Sequence, residues 1–347
     1  MDIREVARRA KVSTATVSRT INRPESVTAA TAERVWEVIR ELRYFPNRHA
    51  RSLVSGRSRI LGLIVSDVTN PFFPELIQGF EDIAVEHNYE LLITSTRYDP
   101  ARMALAVKRM LERTVEGVAI MTSEMDVSLL EEIAIRNVPM ILLDVGSPGP
   151  GISKIVIDYE AGINQAVEHL LDLGHARIAF ISGPPALESA QIRRSAFLRC
   201  LMDRGIIEDE RFVVTGDHTV DGGFRAMSDL LALPIPPTAV LASNDLTAMG
   251  ALRAVRRAGL DVPRDISIVG FDDIHLAEFT EPPLTTVRIP REELAHKAFN
   301  ALLRNINAGR GGAVLVAEHG AERIGTHLVI RSSTGSPRRK ETSEQRA

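Results

Sequence analysis

The sequence predicts a chain in two parts: a small all-α module over residues 1–46, then a two-lobed, doubly wound α/β body over residues 59–332. Three observations carry this. Short capped helical patterns fill the first 42 residues, strand-length apolar runs alternate with helix-period segments from Ile60 onward, and the charge is divided between the parts. Residues 1–58 hold twelve Lys/Arg against six Asp/Glu, a net +6; the remainder holds thirty against thirty-nine, a net −9, within a total of −3. A basic head on an acidic body is the footprint expected of a module that neutralises phosphates.

The head reads as a helix-turn-helix. Asp2 caps a first helix that runs to about Ala10, and Glu5, three residues on, suits a capping box in which each carboxylate takes a free backbone N–H. Val6 and Ala10 share a face, and Ala7 lets a second helix cross closely. Lys11 and Val12 form the turn, and Ser13 caps the second helix. Val17 and Ile21 point inward, while Ser13, Thr14, Ala15, Thr16, Ser18, Arg19 and Asn22 offer short or basic groups suited to base edges and phosphates. A third helix from about Thr28 places Val35, Ile39 and Leu42 on one stripe, which closes a mini-core. Residues 47–58 form a hinge: Asn47 can cap a helix running from Arg48 to Leu53, too short to hold in water alone, so it is expected to fold only when docked.

In the body, the expected strands are Ile60–Val65, Glu90–Ser95, Gly117–Met121, Met140–Leu143 and Ile155–Ile157. After a helix over 159–173 the series restarts with Arg177–Ile181, Phe212–Thr215, Ala239–Ala242 and Ile266–Gly270. Repeated βα units imply parallel sheets covered on both faces, and two series imply two lobes: lobe 1 from 59–158 and 290–319, lobe 2 from 159–289 and 320–332. Ligands in such sheets bind beyond the carboxyl ends of the strands. The loops there carry Asp67, Asn70, Phe72, Phe73, Thr122, Ser123 and Glu124 in the first lobe, and Ser189, Arg193, His218, Asn244, Asp245 and Asp272 in the second. Their mixture of aromatic faces, hydroxyls and a cation beside carboxylates suits a hydroxyl-rich small molecule.

Composition excludes several classes. One cysteine, Cys200, permits no internal disulfide, and a reducing compartment follows. The start carries no basic-then-apolar leader, and no apolar run approaches membrane-spanning length, so a cytoplasmic protein is expected. No GxSxG, HExxH or GxxxxGK motif occurs, and Gly149 and Gly151 form a lone GxG in a Pro-rich loop; no enzyme, metal or cofactor is expected. Residues 333–347 are polar, without a heptad, and read as a disordered tail.

The sequence resembles the lactose-repressor (LacI/GalR) family of bacterial transcription regulators. VSTATVSRTIN at 12–22, RYFPNRHARSL at 43–53, DVTNPFFPELIQGFE at 67–81, PPTAVLASNDLTAMGAL at 236–252, DISIVGFDD at 265–273 and PPLTTVR at 282–288 carry the resemblance, which spans roughly residues 2–332. Lys11 departs from the Gly or Asn common in the family's turn. The resemblance implies a periplasmic-binding-protein-like sensor behind a DNA-reading headpiece. It implies a hinge helix (Asn47, Arg48, Ala50, Arg51) that wedges Leu53 into the minor groove. It also implies effector contacts at Phe72, Phe73, Arg193 and Asp272, with Asn244 and Asp144 in secondary places. His218 stands where relatives place a stacking aromatic, which leaves a purine or nucleoside open beside a sugar.

The function so implied is a ligand-responsive repressor that binds a pseudo-palindromic double-stranded operator as a homodimer, with effector in the cleft changing the separation of the two hinges. The competing class is a solute-binding protein without a regulatory role; the fused basic head and the missing leader argue against it.

Overall fold

The computed structural model describes residues 2–44, 57–122, 127–144, 146–206, 209–310 and 321–338. Asn47, Arg48, Ala50, Arg51 and Leu53 of the expected hinge, and Ser123 and Glu124, lie outside the described residues. The chain divides into two units, Met1–Arg59 and Ile60–Ala347.

The first unit holds α1 (Ile3–Ala10), α2 (Thr14–Asn22) and α3 (Ala29–Glu41). Val6, Ala10, Val17, Val35, Ile39 and Leu42 are buried together, with Ile21 packed against them, so the mini-core is the expected one. Burying each larger side chain contributes about 1.5–3 kcal/mol against the entropy of ordering the three helices. Asp2 caps α1, accepting from the N–H of Arg4 at 3.0 Å and of Glu5 at 3.1 Å. The capping box is only half made. The Glu5 carboxylate turns forward to Arg8 at 2.6 Å and Arg9 at 3.0 Å, and these guanidinium bonds hold its pKa at about 2. Charged donors one turn ahead outcompete a neutral backbone N–H. Lys11 takes the left-handed conformation at φ 53°, the strained turn geometry that the absence of Gly there foreshadows.

The second unit runs β1 (Ile60–Val65), α4 (Phe72–Glu86), β2 (Glu90–Ser95), α5 (Pro100–Glu112), β3 (Gly117–Met121), α6 (Val127–Ile135), β4 (Met140–Leu143), β5 (Ile152–Asp158), α7 (Tyr159–Asp172), β6 (Ile178–Ser182), α8 (Glu188–Asp203), β7 (Val213–Thr215), α9 (Val220–Leu231), β8 (Ala239–Ala242), α10 (Asp245–Arg257), β9 (Ser267–Asp272), β10 (Thr285–Arg288), α11 (Arg291–Arg310), β11 (Glu322–Gly325) and β12 (His327–Val329). Two sheets form, in the orders β2-β1-β3-β4-β5-β11 and β7-β6-β8-β9-β10-β12. Every pairing among these strands is parallel except β10 with β12. Wholly buried strands such as β3 and β4 show why their sequences are continuously apolar: helices cover both faces.

The chain crosses between lobes after β5, after β10 and at Thr326. The last crossing was expected near residue 320, yet β11 pairs with β5 from Glu322 opposite Ile155 to Gly325 opposite Asp158, so lobe 1 keeps the chain to residue 325. The polar pattern of β11 gave no strand signal; its partner strand supplies the pairing. At the crossings, Thr326 Oγ1 donates to Asp158 O at 2.6 Å. Gly162 lies so close that a Cβ there would fall 2.3 Å from Val287 and 2.5 Å from Thr326 Oγ1, a spacing only glycine allows.

Ser333 to Arg338 do not belong to a disordered tail. Ser333 is wholly buried, its Oγ accepting from Thr285 N at 2.7 Å and donating to Ile268 O at 2.6 Å. Gly335 O lies 2.9 Å from His175 Nε2, and Arg338 pairs with Asp265 at 2.6 Å. Hydroxyl and backbone bonds to β9 and β10 hold a segment whose polar composition offers no apolar anchor. Residues 339–347 lie outside the described residues.

Candidate functional site

The carboxyl ends of both sheets converge on a cleft of about 540 Å³, its open mouth included. All nine expected effector residues line it: Phe72, Phe73, Thr122, Asp144, Ser189, Arg193, His218, Asn244 and Asp272. Asn70 lines it too, its Oδ1 accepting from Phe72 N at 3.1 Å and so fixing the entry into α4. That entry places Phe72 and Phe73 in the helix's first turn, their rings edge to face at 5.3 Å. Asp67 closes its own turn on Thr69 and does not reach the cleft.

Arg193 is the cation of the site. It projects from α8, is 7 % exposed, and lies over the rings of Tyr159 at 4.8 Å and Phe271 at 4.4 Å. Aromatic faces stabilise a guanidinium that water has left. One terminal nitrogen donates to Ser243 O and stands 3.9 Å from Asp272 Oδ1; Nε has no hydrogen-bond partner among the described residues. Asp272 ends β9 at φ 107°. Burial raises its pKa from 3.8 to about 6, against the pull of Arg193 and Arg291.

Other expected residues frame the cleft instead of offering free groups. Asp144 accepts from Ile157 N at 2.9 Å and from the Tyr159 hydroxyl at 2.7 Å, and burial raises its pKa. Asn244 caps α10 through Thr247 N at 2.9 Å and donates to His218 O at 3.2 Å. Asp245 does not line the cleft: it is wholly buried, accepting from Thr286 Oγ1 at 2.5 Å and Ile274 N at 2.8 Å. His218 adopts φ 62°, and its Nε2 lies 2.8 Å from Ser243 Oγ. Burial, then the Arg193 charge, depress its pKa to about 3, so the ring is neutral at physiological pH. A Cβ at Gly183 would fall 1.9 Å from that Nε2; the glycine makes room for the ring.

In the headpiece, Ser13 caps α2 by accepting from Thr16 N at 3.1 Å, and its Oγ lies 2.9 Å from Thr16 Oγ1. Thr14, Ala15, Arg19 and Asn22 are exposed, Thr16 and Ser18 are half-buried, and Val17 and Thr20 point inward. Ala15, Ser18, Arg19 and Asn22 therefore form one outward stripe at helical spacing.

The model "Bacterial regulatory proteins, lacI family" matches residues 2–47, and "Periplasmic binding protein-like domain" matches residues 167–334. The chain is 36 % identical over 335 residues to the HTH-type transcriptional repressor CytR of Escherichia coli K12, covering 96 % of each. This protein belongs to the LacI family. It is a transcriptional regulator of that family. The family member is also 36 % identical over 307 residues to the ribose operon repressor of the same organism, covering 88 % of this chain and 92 % of that one. The lac repressor dimer, solved bound to operator and the anti-inducer ONPF, superposes with a TM-score of 0.84 at 31 % identity, covering 96 % of this chain and 99 % of that one.

Sequence reasoning on this LacI-family chain missed several lining residues. Tyr159 carries Arg193 on its ring and holds Asp144 with its hydroxyl, and Ser66 Oγ donates to Thr122 Oγ1 at 2.8 Å beside it in lobe 1. Both residues directly follow the carboxyl end of a strand, so the rule that pointed to Thr122 and Asp272 could have found them. Tyr98 also lines the cleft, in a loop where Arg97 and Tyr98 are both left-handed, at φ 54° and 59°. No residue-level signal marks such a pair.

Proposed function

We propose that this chain represses transcription from an operator as a homodimer, in the cytoplasm and without catalysis, and that a sugar in the interlobe cleft controls it. The pairing of Arg193 with Asp272 carries the effector reading. A buried guanidinium with an unpartnered Nε among the described residues, 3.9 Å from a buried carboxylate, offers donor and acceptor to adjacent hydroxyls of one ring. Phe72 offers an apolar face, while Ser66, Thr122 and Ser189 bring hydroxyls to the wall. The ribose operon repressor among the relatives supports a pentose. Dimerisation draws support from the lac repressor dimer and from Leu276 and Phe279, 48 % and 69 % exposed on lobe 2, an apolar face for a second copy. The outward stripe of α2 and the net +6 of residues 1–58 support the operator contact.

The neutral, half-buried His218 ring supports a second reading, in which the cleft takes a flat base as in a purine or nucleoside. A thermal-shift panel of ribose, other sugars, nucleosides and nucleobases separates the two. A ligand at a hundred times its Kd stabilises the folded state by about 2.7 kcal/mol. Ribose or another sugar is expected to raise the midpoint and to alter operator affinity in a gel shift. Stabilisation by bases alone would favour the second reading, and a panel without response would remove the sugar reading.

A further inference from the structure

Beside the cleft, five polar groups join the lobes. Glu75 stands in the first turn of α4, two residues after Phe73. Its Oε1 accepts from His275 N of lobe 2 at 3.0 Å, and its Oε2 pairs with Arg291 at 2.8 Å. Arg291 opens α11, directly after the second crossing, and packs with lobe 1. Its guanidinium forks across to lobe 2, donating to Asp272 O at 2.7 Å and to Asp273 O at 2.8 Å. Both acceptor residues are left-handed, at φ 107° and 55°, a conformation that non-glycine residues keep only where their surroundings fix it.

Asp272 thus has two faces: its carboxylate lines the cleft beside Arg193, and its carbonyl is held from lobe 1 by Arg291. The Asp273 carboxylate is committed elsewhere within lobe 2, to Arg288 and to Arg331 at 2.8 Å, so the carbonyls are what lobe 1 grips. Arg291 is 17 % and Glu75 28 % exposed at the side chain, enough burial to strengthen charged hydrogen bonds over those in water.

We propose that Arg291 and Glu75 are positioning residues of the effector site. Glu75 orients Arg291, Arg291 fixes the left-handed Asp272–Asp273 backbone, and that grip aims the Asp272 carboxylate into the cleft only when the lobes are closed. Lobe closure and completion of the binding site are then one event, and effector binding through Asp272 stabilises closure by the same bonds. This rests on the cleft reading above for the ligand, and on the interlobe geometry alone for the clasp.

The test separates these. Spin labels at Arg109→Cys on α5 and Asp229→Cys on α9, in a Cys200→Ser background of the full chain diluted with unlabelled protein, report the lobe separation by pulsed electron resonance without any ligand. Arg291→Met and Glu75→Gln are each expected to broaden the distance distribution and move it to longer values. An unchanged distribution in either variant overturns the proposal, whatever its melting temperature does, and Glu75→Gln decides the matter if Arg291→Met folds poorly. Ribose calorimetry then tests the aim of Asp272. Arg291→Met and Asp272→Asn should each weaken ribose by about fivefold or more, and the double variant by little beyond the worse single one. Independent, additive losses overturn the positioning role. Failure of ribose to bind the unaltered protein counts against the sugar reading while the label distances still judge the clasp.

Discussion

Replacing Asp272 with asparagine should stabilise the effector-free protein above neutral pH, although the residue serves ligand binding. Burial raises the Asp272 pKa from 3.8 to about 6, so folding disfavours the ionised carboxylate. The native state therefore binds a proton more tightly than the unfolded chain. The stability carried by that proton is fully present below about pH 4 and is lost as pH rises through about 6. At about 1.4 kcal/mol per pH unit, the loss comes to about 3 kcal/mol at alkaline pH. The asparagine amide is uncharged and nearly isosteric with the carboxyl group, so Asp272→Asn recovers most of this. Relief of its repulsion on Asp245, whose pKa burial and the Asp272 charge push up, adds in the same direction. The assay is urea unfolding at fixed protein concentration from about pH 4 to about pH 8, followed by far-ultraviolet circular dichroism. Trp36, the single tryptophan, sits in α3 and reports only the first unit, so its fluorescence separates headpiece unfolding from that of the body. The gain should be near zero at the acid end and grow through about pH 6. A variant less stable at about pH 8, or one whose gain is the same at both ends, would show that Asp272 is not held against ionisation.

Three further outcomes are expected. Gly183→Ala drives a Cβ to within 1.9 Å of the His218 ring and must displace it. Ribose-dependent stabilisation should fall while operator affinity in a gel shift holds; an unaltered ribose response would place the ligand away from His218. Arg19→Ala, on the outward stripe of α2, should cost about 1–3 kcal/mol of operator binding and relax preference at one base pair per half-site. Equal weakening across all sequences in competition binding would make Arg19 a phosphate contact. Lys11→Gly should stabilise the headpiece by about 0.5–1 kcal/mol by relieving the left-handed turn at φ 53°, net of the extra freedom glycine gains when unfolded. Melting followed by Trp36 fluorescence reads this, and a lowered midpoint would mean that the Lys11 side chain contributes more than its backbone costs.

The sequence by itself determined the headpiece and most of both sheets. Capping residues, apolar spacing and turn chemistry are local, so Asp2, Ser13, Val6 and Val17 act as their neighbours dictate. Strands such as β1, β3, β4 and β8, buried on both faces, must be continuously apolar and were therefore legible. The cleft residues were legible because the carboxyl-end rule needs only strand order, and family resemblance supplied the same positions. Tertiary structure alone decided what pairing over long distances supplies. β11 and β12 are only four and three residues long and exist through β5 and β10; Ser333 is buried through bonds to chain 48 and 65 residues away. The same holds around the site, where Asp144, Asn244, Asp245 and Asp272 all stand at or within three residues of a strand's carboxyl end. Only folding assigned Asp144, Asn244 and Asp245 to bracing the wall and left Asp272 facing Arg193, because a side chain's role depends on which donors the fold brings within about 3 Å of it.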